Sequence, residues 1–378
     1  MSTTYESTIK TVMSLAAVWM VASPANPLKA QESNSRTVMS PATQEWREVW
    51  RLDVSRGASA ELVWADSTLI VASLDRTVHI VAPRSEPTIV WKKNFKGGFE
   101  AKPIVDEDRI YLAETLKGGR LVAIDRRTRM ILWTANAGDM VAAPVVTADR
   151  IYTVSSIGVV KAFNHSGLEM WSTDLETRVV TTPVLLTGRL VIAASDGTLY
   201  SVDSARGEVT KSVDAEAGLI WGQPVIRHSG ADETVLYATL GGQVIEVAAD
   251  LTIVQRRSFP SRFYTGPEVA GDRLFLIGHE GTLWAYDWST AEIAWQHELE
   301  GTFRAAPRVG AGFVSVGTLS KTLYVIDSSS GELSWSTDVD GAITSRPLVH
   351  DDNLYVMTER GTIFAFQPVG STPSSYTR

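Results

Sequence analysis

The chain has 378 residues, 44% of them hydrophobic, and no cysteine. Its 43 acidic and 35 basic residues give a formal net charge of −8 at pH 7. This balance argues against a nucleic-acid partner, because proteins that bind a phosphate backbone present a basic face. The length and apolar content are sufficient for a large hydrophobic core, and the repeats described below account for that length as one domain.

The first 30 residues have the pattern of a signal peptide. Lys10 precedes the apolar run Thr11 to Ala22, and Ala25 and Ala30 are candidate cleavage points. A membrane-spanning helix needs about 20 apolar residues, so this run favours export over anchoring. A disordered N-terminal tail is the alternative interpretation. Lipidation requires a cysteine after the leader, and the chain has none. We therefore expect a soluble periplasmic or extracellular protein without a lipid anchor or transmembrane segment.

Residues 31–45 are polar and predict a flexible lead-in. The segment Trp46 to Val54 predicts a strand, which precedes a series of repeats that continues to residue 367. The last residues, 368–378, predict a disordered tail.

The repeats have a period near 40 residues and share a tryptophan position. Successive positions are 41, 42, 38, 40, 44, 40 and 40 residues apart. Such a period, with four short strands in each unit, is typical of a β-propeller, and eight positions predict eight blades. The positions are Trp50, Trp91, Trp133, Trp171, Lys211, Gln255, Trp295 and Trp335.

Two further features keep the same phase. A proline that begins the next strand recurs in all copies but the first, where Leu62 replaces it. Pairs such as Gly118-Gly119, Asp196-Gly197 and Gly241-Gly242 suit hairpins that need a positive φ. The prolines are Pro103, Pro144, Pro183, Pro224, Pro267, Pro307 and Pro347.

The last copy, Val325 to Phe366, predicts four antiparallel strands that form one blade. The N-terminal strand, Trp46 to Val54, is then expected to complete the last blade as its outermost strand and so to close the ring. We interpret the recurring Trp50, Trp91, Trp133, Trp171, Trp295 and Trp335 as structural residues at blade junctions, because a motif copied around a ring is not a single active site.

The pattern Ala/Val-x-Asp-x-x-x-Gly-x-x-x-Trp, complete in Val325 to Trp335, resembles the docking motif of pyrroloquinoline-quinone (PQQ)-type β-propeller repeats. The resemblance covers about residues 46–367. It implies one of two branches: the quinoprotein alcohol dehydrogenases, or non-enzymatic propellers such as the scaffold of the outer-membrane barrel-assembly machinery. The dehydrogenases of this family use a calcium ion, a catalytic aspartate and a vicinal disulfide. The disulfide is excluded here, and no aspartate matches the catalytic one.

The residues just before each proline are the candidates for function. The residue four positions before it is apolar in every copy and is expected to be buried, whereas the others differ in chemistry from copy to copy. A loop that leads into an innermost strand lines the mouth of the channel, so these residues are placed to contact a ligand or partner. A solvated rim that binds nothing is the alternative. The candidates are Lys102, Trp221, Arg262, Tyr264, Arg304 and Arg346.

The sequence contains no catalytic constellation. Its six histidines are dispersed without metal-ligand spacing, and we expect no metal site. The prediction is an all-β, eight-bladed propeller that acts as a monomeric, non-enzymatic scaffold of the cell envelope and binds protein partners at the channel mouth. A PQQ-dependent sugar or alcohol dehydrogenase and a propeller that binds a small ligand or glycan are the alternatives.

Overall fold

The structure, a computed structural model, describes residues 44–54, 57, 60–116, 118–229 and 232–370. Within these ranges the regular structure consists of 32 β-strands in eight four-stranded antiparallel sheets. These are the blades of an eight-bladed β-propeller, which confirms the predicted fold class. The described residues contain no helix with the length and hydropathy needed to cross a bilayer.

The strands follow the chain around the ring, and each blade is numbered in the order in which its innermost strand occurs. Blade 1 contains β2 (Val63–Ala65), β3 (Thr68–Ala72), β4 (Thr77–Ala82) and β5 (Thr88–Asn94). Blade 2 contains β6 (Ile104–Val105), β7 (Arg109–Glu114), β8 (Arg120–Asp125) and β9 (Ile131–Asn136). Blade 3 contains β10 (Val145–Val146), β11 (Ile151–Val154), β12 (Val159–Phe163) and β13 (Glu169–Asp174). Blade 4 contains β14 (Val184–Leu186), β15 (Arg189–Ala193), β16 (Thr198–Asp203) and β17 (Val209–Asp214).

The second half repeats this order. Blade 5 contains β18 (Val225–Ser229), β19 (Asp232–Ala238), β20 (Gln243–Val247) and β21 (Ile253–Ser258). Blade 6 contains β22 (Glu268–Ala270), β23 (Arg273–Ile277), β24 (Thr282–Asp287) and β25 (Glu292–Glu298). Blade 7 contains β26 (Arg308–Val309), β27 (Phe313–Gly317), β28 (Thr322–Asp327) and β29 (Leu333–Asp338). Blade 8 contains β30 (Leu348–His350), β31 (Asn353–Met357), β32 (Thr362–Pro368) and β1 (Trp46–Asp53).

The ring closes as the sequence predicted. The N-terminal strand β1 pairs antiparallel with β32, from Trp46 opposite Pro368 to Asp53 opposite Thr362, and is the outermost strand of blade 8. This pairing joins residues more than 300 positions apart, as in the hydrogen bond from Thr362 Oγ1 to Asp53 Oδ1 (2.8 Å, separation 309). Blade 8 is therefore completed by both ends of the repeat region.

The prediction that Val325 to Phe366 forms one blade is wrong by one strand. Trp335 lies on β29, which pairs with β28 in blade 7, whereas β30 to β32 belong to blade 8. The tight turn from Asp327 to Gly331 decides this, because it joins β28 to β29 as a hairpin and makes the tryptophan strand the outermost of the blade before it. Each repeat unit, counted from its tryptophan, therefore spans two blades.

The core is divided among the junctions between blades rather than gathered at one centre. In the described residues, each of the eight junctions contains its own cluster of buried side chains. The cluster between blades 8 and 1, for example, combines Trp50 and Tyr355 of blade 8 with Leu69, Val71 and Val81 of blade 1. Each blade packs against a neighbour on both faces, so its two middle strands are almost wholly buried, as in β7 and β31.

Every outermost strand contains a β-bulge at the residue before the tryptophan position. In β1 the bulge lies between Glu48 and Trp50, and it changes which face the following residues occupy. Trp46 therefore packs into the junction with blade 7 and Trp50 into the junction with blade 1, although four residues apart they would share a face of a regular strand. A bulge also bends the exposed edge, which hinders pairing with foreign strands.

Three of the recurring tryptophans dock on the next blade in the same way. The indole N–H of Trp133 donates to the carbonyl of His165 (2.9 Å), that of Trp171 to Ser204 (3.2 Å) and that of Trp295 to Ser328 (3.1 Å). A glycine in the same turn lies against each indole: a Cβ added at Gly167, Gly207 or Gly331 would approach the ring within 2.7, 2.5 or 2.5 Å. The motif glycine thus contacts the tryptophan of the preceding blade.

The other three tryptophans pack without this bond among the described residues. Trp50 is buried beside Tyr355 at a centroid distance of 5.8 Å, and Trp335 meets the edge of Phe366 at 5.3 Å. Trp91 is partly buried against the cluster between blades 1 and 2. At Lys211 and Gln255 the indole is absent but the donor is kept: Lys211 Nζ donates to the carbonyl of Asp250 (2.8 Å) and Gln255 Nε2 to that of Trp288 (3.2 Å).

Candidate functional site

Each blade is connected to the next by a mouth loop, defined as the segment between an outermost strand and the following innermost strand. The predicted apolar residue of each loop lies four positions before the proline, and these residues are at most 1% exposed, which confirms their assignment to the core. In most loops its N–H donates to a hairpin carbonyl of the previous blade, as from Phe303 to His279 (3.3 Å). The residues are Phe99, Met140, Val179, Ile220, Phe263, Phe303 and Ile343.

This anchoring fixes the polar and aromatic residues that follow in each loop. The residue before the buried one accepts a hydrogen bond from a hairpin of the blade that the loop enters, as from the N–H of His279 to the carbonyl of Arg262 (2.9 Å). Each such loop is therefore held by both neighbouring blades. Side chains at its exposed positions are presented from a rigid backbone, which favours binding without a large ordering cost.

Four side chains from blades 5, 6 and 7 form what we call the mouth cluster: Trp221, Tyr264, His279 and Arg304. Trp221 and Tyr264 meet edge to face with centroids 6.3 Å apart, and Tyr264 lies 4.6 Å from the ring of His279. The guanidinium of Arg304 lies over the Tyr264 ring at 5.5 Å, within the range of a cation–π contact. Three predicted candidates, Trp221, Tyr264 and Arg304, are thus brought together.

His279 holds this cluster in place. Its Nδ1 lies 3.1 Å from the carbonyl oxygen of Phe303. A carbonyl only accepts, so Nδ1 carries the proton of this hydrogen bond. The bond joins the hairpin of blade 6 to the mouth loop of blade 7, which also carries Arg304.

Arg262, a fourth candidate, is bound to the neighbouring hairpin residue Glu280. Its Nε donates to Glu280 Oε1 (2.8 Å), and Ser261 Oγ donates to Oε2 (2.8 Å). Partial burial by itself raises the pKa of Glu280, but the hydrogen bonds from Ser261 and Arg262 outweigh it and bring the pKa down to about 2. Arg262 is therefore neutralised locally. Among the described residues, Arg304 has no ion pair, so of the four candidate cations it is the one that remains for a partner.

The two remaining candidates belong to a separate set, the channel network, formed by Glu61, Lys102, Glu268, Arg308 and Arg346. Arg346 Nη1 lies 3.0 Å from Glu268 Oε2, and Arg308 Nη1 lies 3.4 Å from Glu268 Oε1. Glu61 lies 3.9 Å from both Lys102 Nζ and Arg346 Nε. Because Glu268 of blade 6 reaches Arg346 of blade 8 past blade 7, the network lies on the inner side of the ring.

Sequence reasoning missed the partners of these candidates. Glu61 stands immediately before Leu62, the first-copy equivalent of the prolines, and so occupies the register of Lys102 and Arg346. Glu268 and Arg308 stand one residue after their prolines, and both signals were readable from the repeat alignment. His279 and Glu280 come from the second hairpin of blade 6, and no repeat pattern marked them.

The residues present do not fit the quinone of the family enzymes. In the channel network Lys102, Arg308 and Arg346 each lie within 3.9 Å of a carboxylate, so their charge is already compensated before a tricarboxylate arrives. The chain has no cysteine for the disulfide that stacks on the quinone. In the part of the chain that the structure describes, no group of three or more histidine, cysteine, aspartate or glutamate side chains is arranged to bind a metal.

With this geometry established, comparison with known proteins identifies the family. A family model described as "Outer membrane protein assembly factor BamB" matches residues 42–143, 117–220, 206–307 and 293–369, overlapping segments that together cover the whole propeller. The chain belongs to this family.

Individual relatives match over shorter stretches. The chain is 36% identical over 105 residues to the assembly factor BamB of Salmonella typhimurium, covering 27% of this chain and 26% of that protein. It is 23% identical over 219 residues to BamB of Shewanella oneidensis, covering 54% and 48%. The matched region thus spans about half or less of these relatives.

Solved structures show the same fold at low sequence identity. BamB from Moraxella catarrhalis superposes with a TM-score of 0.70 at 16% identity, over 85% of this chain and 100% of that one. A europium-containing methanol dehydrogenase superposes with a TM-score of 0.71 at 10% identity, over 85% and 93%. The fold is therefore shared by BamB and by a dehydrogenase, so the fold by itself assigns no activity.

Proposed function

We propose that this protein is a non-enzymatic scaffold of the cell envelope that binds a protein partner through the mouth cluster. The observation that carries the proposal is the exposed Trp221 against Tyr264, with Arg304 stacked on the same tyrosine and free of an ion pair among the described residues. Tryptophan, tyrosine and arginine are the residues that most often dominate binding energy at protein interfaces.

The exposure of the cluster supports a macromolecular partner. Trp221 is 43% exposed and Leu219, two residues before it, is 48% exposed, so the surface offers apolar area that a partner would cover. The guanidinium of Arg304 would pair with a carboxylate at the rim of that contact. We therefore propose a partner segment that combines an apolar side chain with an acidic one.

The relatives in this family are described as outer membrane protein assembly factors. We propose that this chain acts in the same process as an exported, soluble, monomeric protein in the periplasm or outside the cell. Lys102, Arg262 and Arg346 then contribute less to binding than Trp221, Tyr264 and Arg304, because they are engaged with Glu61, Glu280 and Glu268.

Site-specific photo-crosslinking in the producing cell tests this proposal. A photoreactive residue is placed at Trp221 and, as a matched control, at Leu168, which is 64% exposed on the outer rim of blade 3. We expect a discrete protein adduct from position 221 that disappears in the R304E background. An adduct from position 168 with none from position 221 would overturn the assignment of the surface.

Two assays address the alternatives. Purified protein supplied with PQQ and calcium should show no dye-linked oxidation of alcohols or aldoses, and turnover would refute the scaffold proposal. A thermal-shift screen with glycans should show no ligand whose effect depends on Trp221. A shift lost in W221A would assign the mouth cluster to a small ligand instead.

A further inference from the structure

A buried histidine lies where the ring is closed. His79 of β4 is 0% exposed, and neither ring nitrogen has a hydrogen-bond partner in the described part of the chain. It stands opposite Val71 on β3 and two residues before Val81. Both valines belong to the cluster between blades 1 and 8, so the alternation of side chains places His79 on the face that meets blade 8.

The corresponding residue of the other blades is not a histidine. In each blade, one residue of the third strand pairs with the tryptophan position of the outermost strand, and the position of interest is the residue just before it. In blade 1, Ile80 pairs with Trp91, and His79 precedes Ile80. Six of the other seven blades have an aliphatic or aromatic side chain at this position. The exception is Lys161 of blade 3, whose ammonium is paired with Glu169 (2.9 Å), so the one cation found at this position among the described blades has a carboxylate partner. The residues are Val122, Lys161, Tyr200, Ile245, Trp284, Tyr324 and Phe364.

The charged groups around His79 do not stabilise its cationic form. Burial is the largest influence and lowers the pKa of His79, and the positive charge of Lys92, opposite it on β5, lowers the pKa further. Asp75, in the hairpin between β3 and β4, acts in the opposite direction but is the smallest of the three influences. From blade 8, the buried residues of the junction carry no charge, and Tyr355 is the titratable one among them.

We propose that His79 makes ring closure sensitive to acid: protonation places an uncompensated charge between blades 1 and 8 and releases β1 from its closed position. The junction concerned is the one closed by a strand from the far end of the chain. The unfolded chain binds a proton near pH 6.5, whereas the closed ring resists it to lower pH. Stability is therefore kept above about pH 6.5 and falls as the pH drops below that value.

The test compares thermal unfolding of wild type and H79V between pH 7.5 and pH 5.0. Valine is the residue at the same position in blade 2, Val122, so the variant should fold. H228N, at a histidine whose side chain is 68% exposed, is the control. Between pH 7.5 and pH 5.0 the melting temperature of H79V should fall by at least about 2 °C less than that of wild type. The melting temperature of H228N should fall as much as that of wild type. Equal losses in wild type and H79V would overturn the proposal.

Hydrogen exchange locates the opening. In wild type at pH 5.5, after correction for intrinsic rates, amides of β1 and β32 should exchange faster relative to pH 7.5, while those of β16 and β17 in blade 4 should not. In H79V the acceleration should vanish. Uniform acceleration around the ring, or acceleration that persists in H79V, would contradict an opening controlled by His79.

Discussion

Side chains of the outermost strands bond to the next blade in two ways. Some junctions use a tryptophan indole, and the two junctions of blade 5 use a lysine or a glutamine. Trp133, Trp171 and Trp295 each donate to a carbonyl in the turn of the next blade, and a glycine lies against the ring. Lys211 and Gln255 donate to turn carbonyls of blades 5 and 6 without an indole. At these five junctions a donor reaches the next blade, and at three of them an indole adds buried area. Trp50, Trp91 and Trp335 pack without this bond among the described residues.

The glycine accompanies the hydrogen-bonded indoles of Trp133, Trp171 and Trp295. At Trp91, which packs without this bond among the described residues, the turn of blade 2 contains Arg129 at φ +62° instead. The turn that receives Gln255 contains Ala291 at φ +62°, where the turn that receives Trp295 contains Gly331 at φ +78°. Both backbones are left-handed, so the turn alone tolerates a Cβ. What the Cβ does not fit is the indole of the preceding blade, 2.5 Å from its ideal position at Gly331. Tryptophan and glycine are thus coupled across the junction.

The largest loss of stability is expected at the ring closure by β1, where neither kind of hydrogen bond is present among the described residues. Deleting residues 46–53 removes Trp46 and Trp50, which are 5% and 8% exposed, and uncovers two junction clusters. Losing each large core side chain costs about 3–5 kcal/mol, so the deletion approaches the whole stability of a typical domain. Calorimetry should show a sharply lowered melting temperature. An unchanged transition would mean that β1 does not close the ring.

Trp295→Ala is expected to cost about 3–5 kcal/mol, because it removes a 9%-exposed indole and its hydrogen bond to Ser328. Denaturant unfolding measures the loss. Trp221→Ala, at a 43%-exposed indole in the mouth cluster, is the matched control and should cost less than about 1 kcal/mol. Similar costs for the two variants would erase the distinction between structural and binding tryptophans.

Gly331→Ala is expected to cost about 2–3 kcal/mol from the clash with Trp295 and the left-handed backbone. In a Trp295→Gln background, which imitates the natural pair Gln255 and Ala291, the cost should fall to about 1 kcal/mol. A double-mutant cycle by denaturant unfolding gives the coupling. Additive effects would show that the glycine serves its own turn and not the indole.

The smallest effects are expected at blade 5. Lys211→Ala and Gln255→Ala each remove one hydrogen bond to a turn carbonyl and should cost about 0.5–1.5 kcal/mol by denaturant unfolding. Gln255→Trp alone should not stabilise the protein, since Ala291 occupies the place of the glycine. Gln255→Trp combined with Ala291→Gly should recover stability. A gain in stability from Gln255→Trp alone would contradict the coupling between the tryptophan and the glycine.

Much of the fold was readable from the repeat. The period of the tryptophan positions gave the number of blades, the prolines marked the start of each innermost strand, and the surplus strand at Trp46 indicated closure. Assigning the strand of Trp335 to blade 8 failed, because consecutive strands in a sequence do not state which pairs are hydrogen-bonded. The turn at Asp327 to Gly331 held that information, through its hairpin between β28 and β29.

The candidate site was readable only in part. Repeat register indicated Trp221, Tyr264 and Arg304 as variable positions of one loop type, but not that they meet across three blades. It also could not separate them from Arg346, whose charge is compensated by Glu268 from 78 residues away. Which cations stay unpaired depends on contacts between loops, and those contacts follow from the angle at which the blades pack.

By itself the sequence determined the local structure: strand positions, turns with positive φ, and which side chains are buried, since these depend on neighbours along the chain. The tertiary structure decided the partners across junctions, such as Gly331 with Trp295 and β1 with β32. A ring brings together residues that the chain separates by tens to hundreds of positions, and no local pattern encodes those distances. The burial of His79 at the closing junction, without a hydrogen-bond partner among the described residues, likewise follows from tertiary packing.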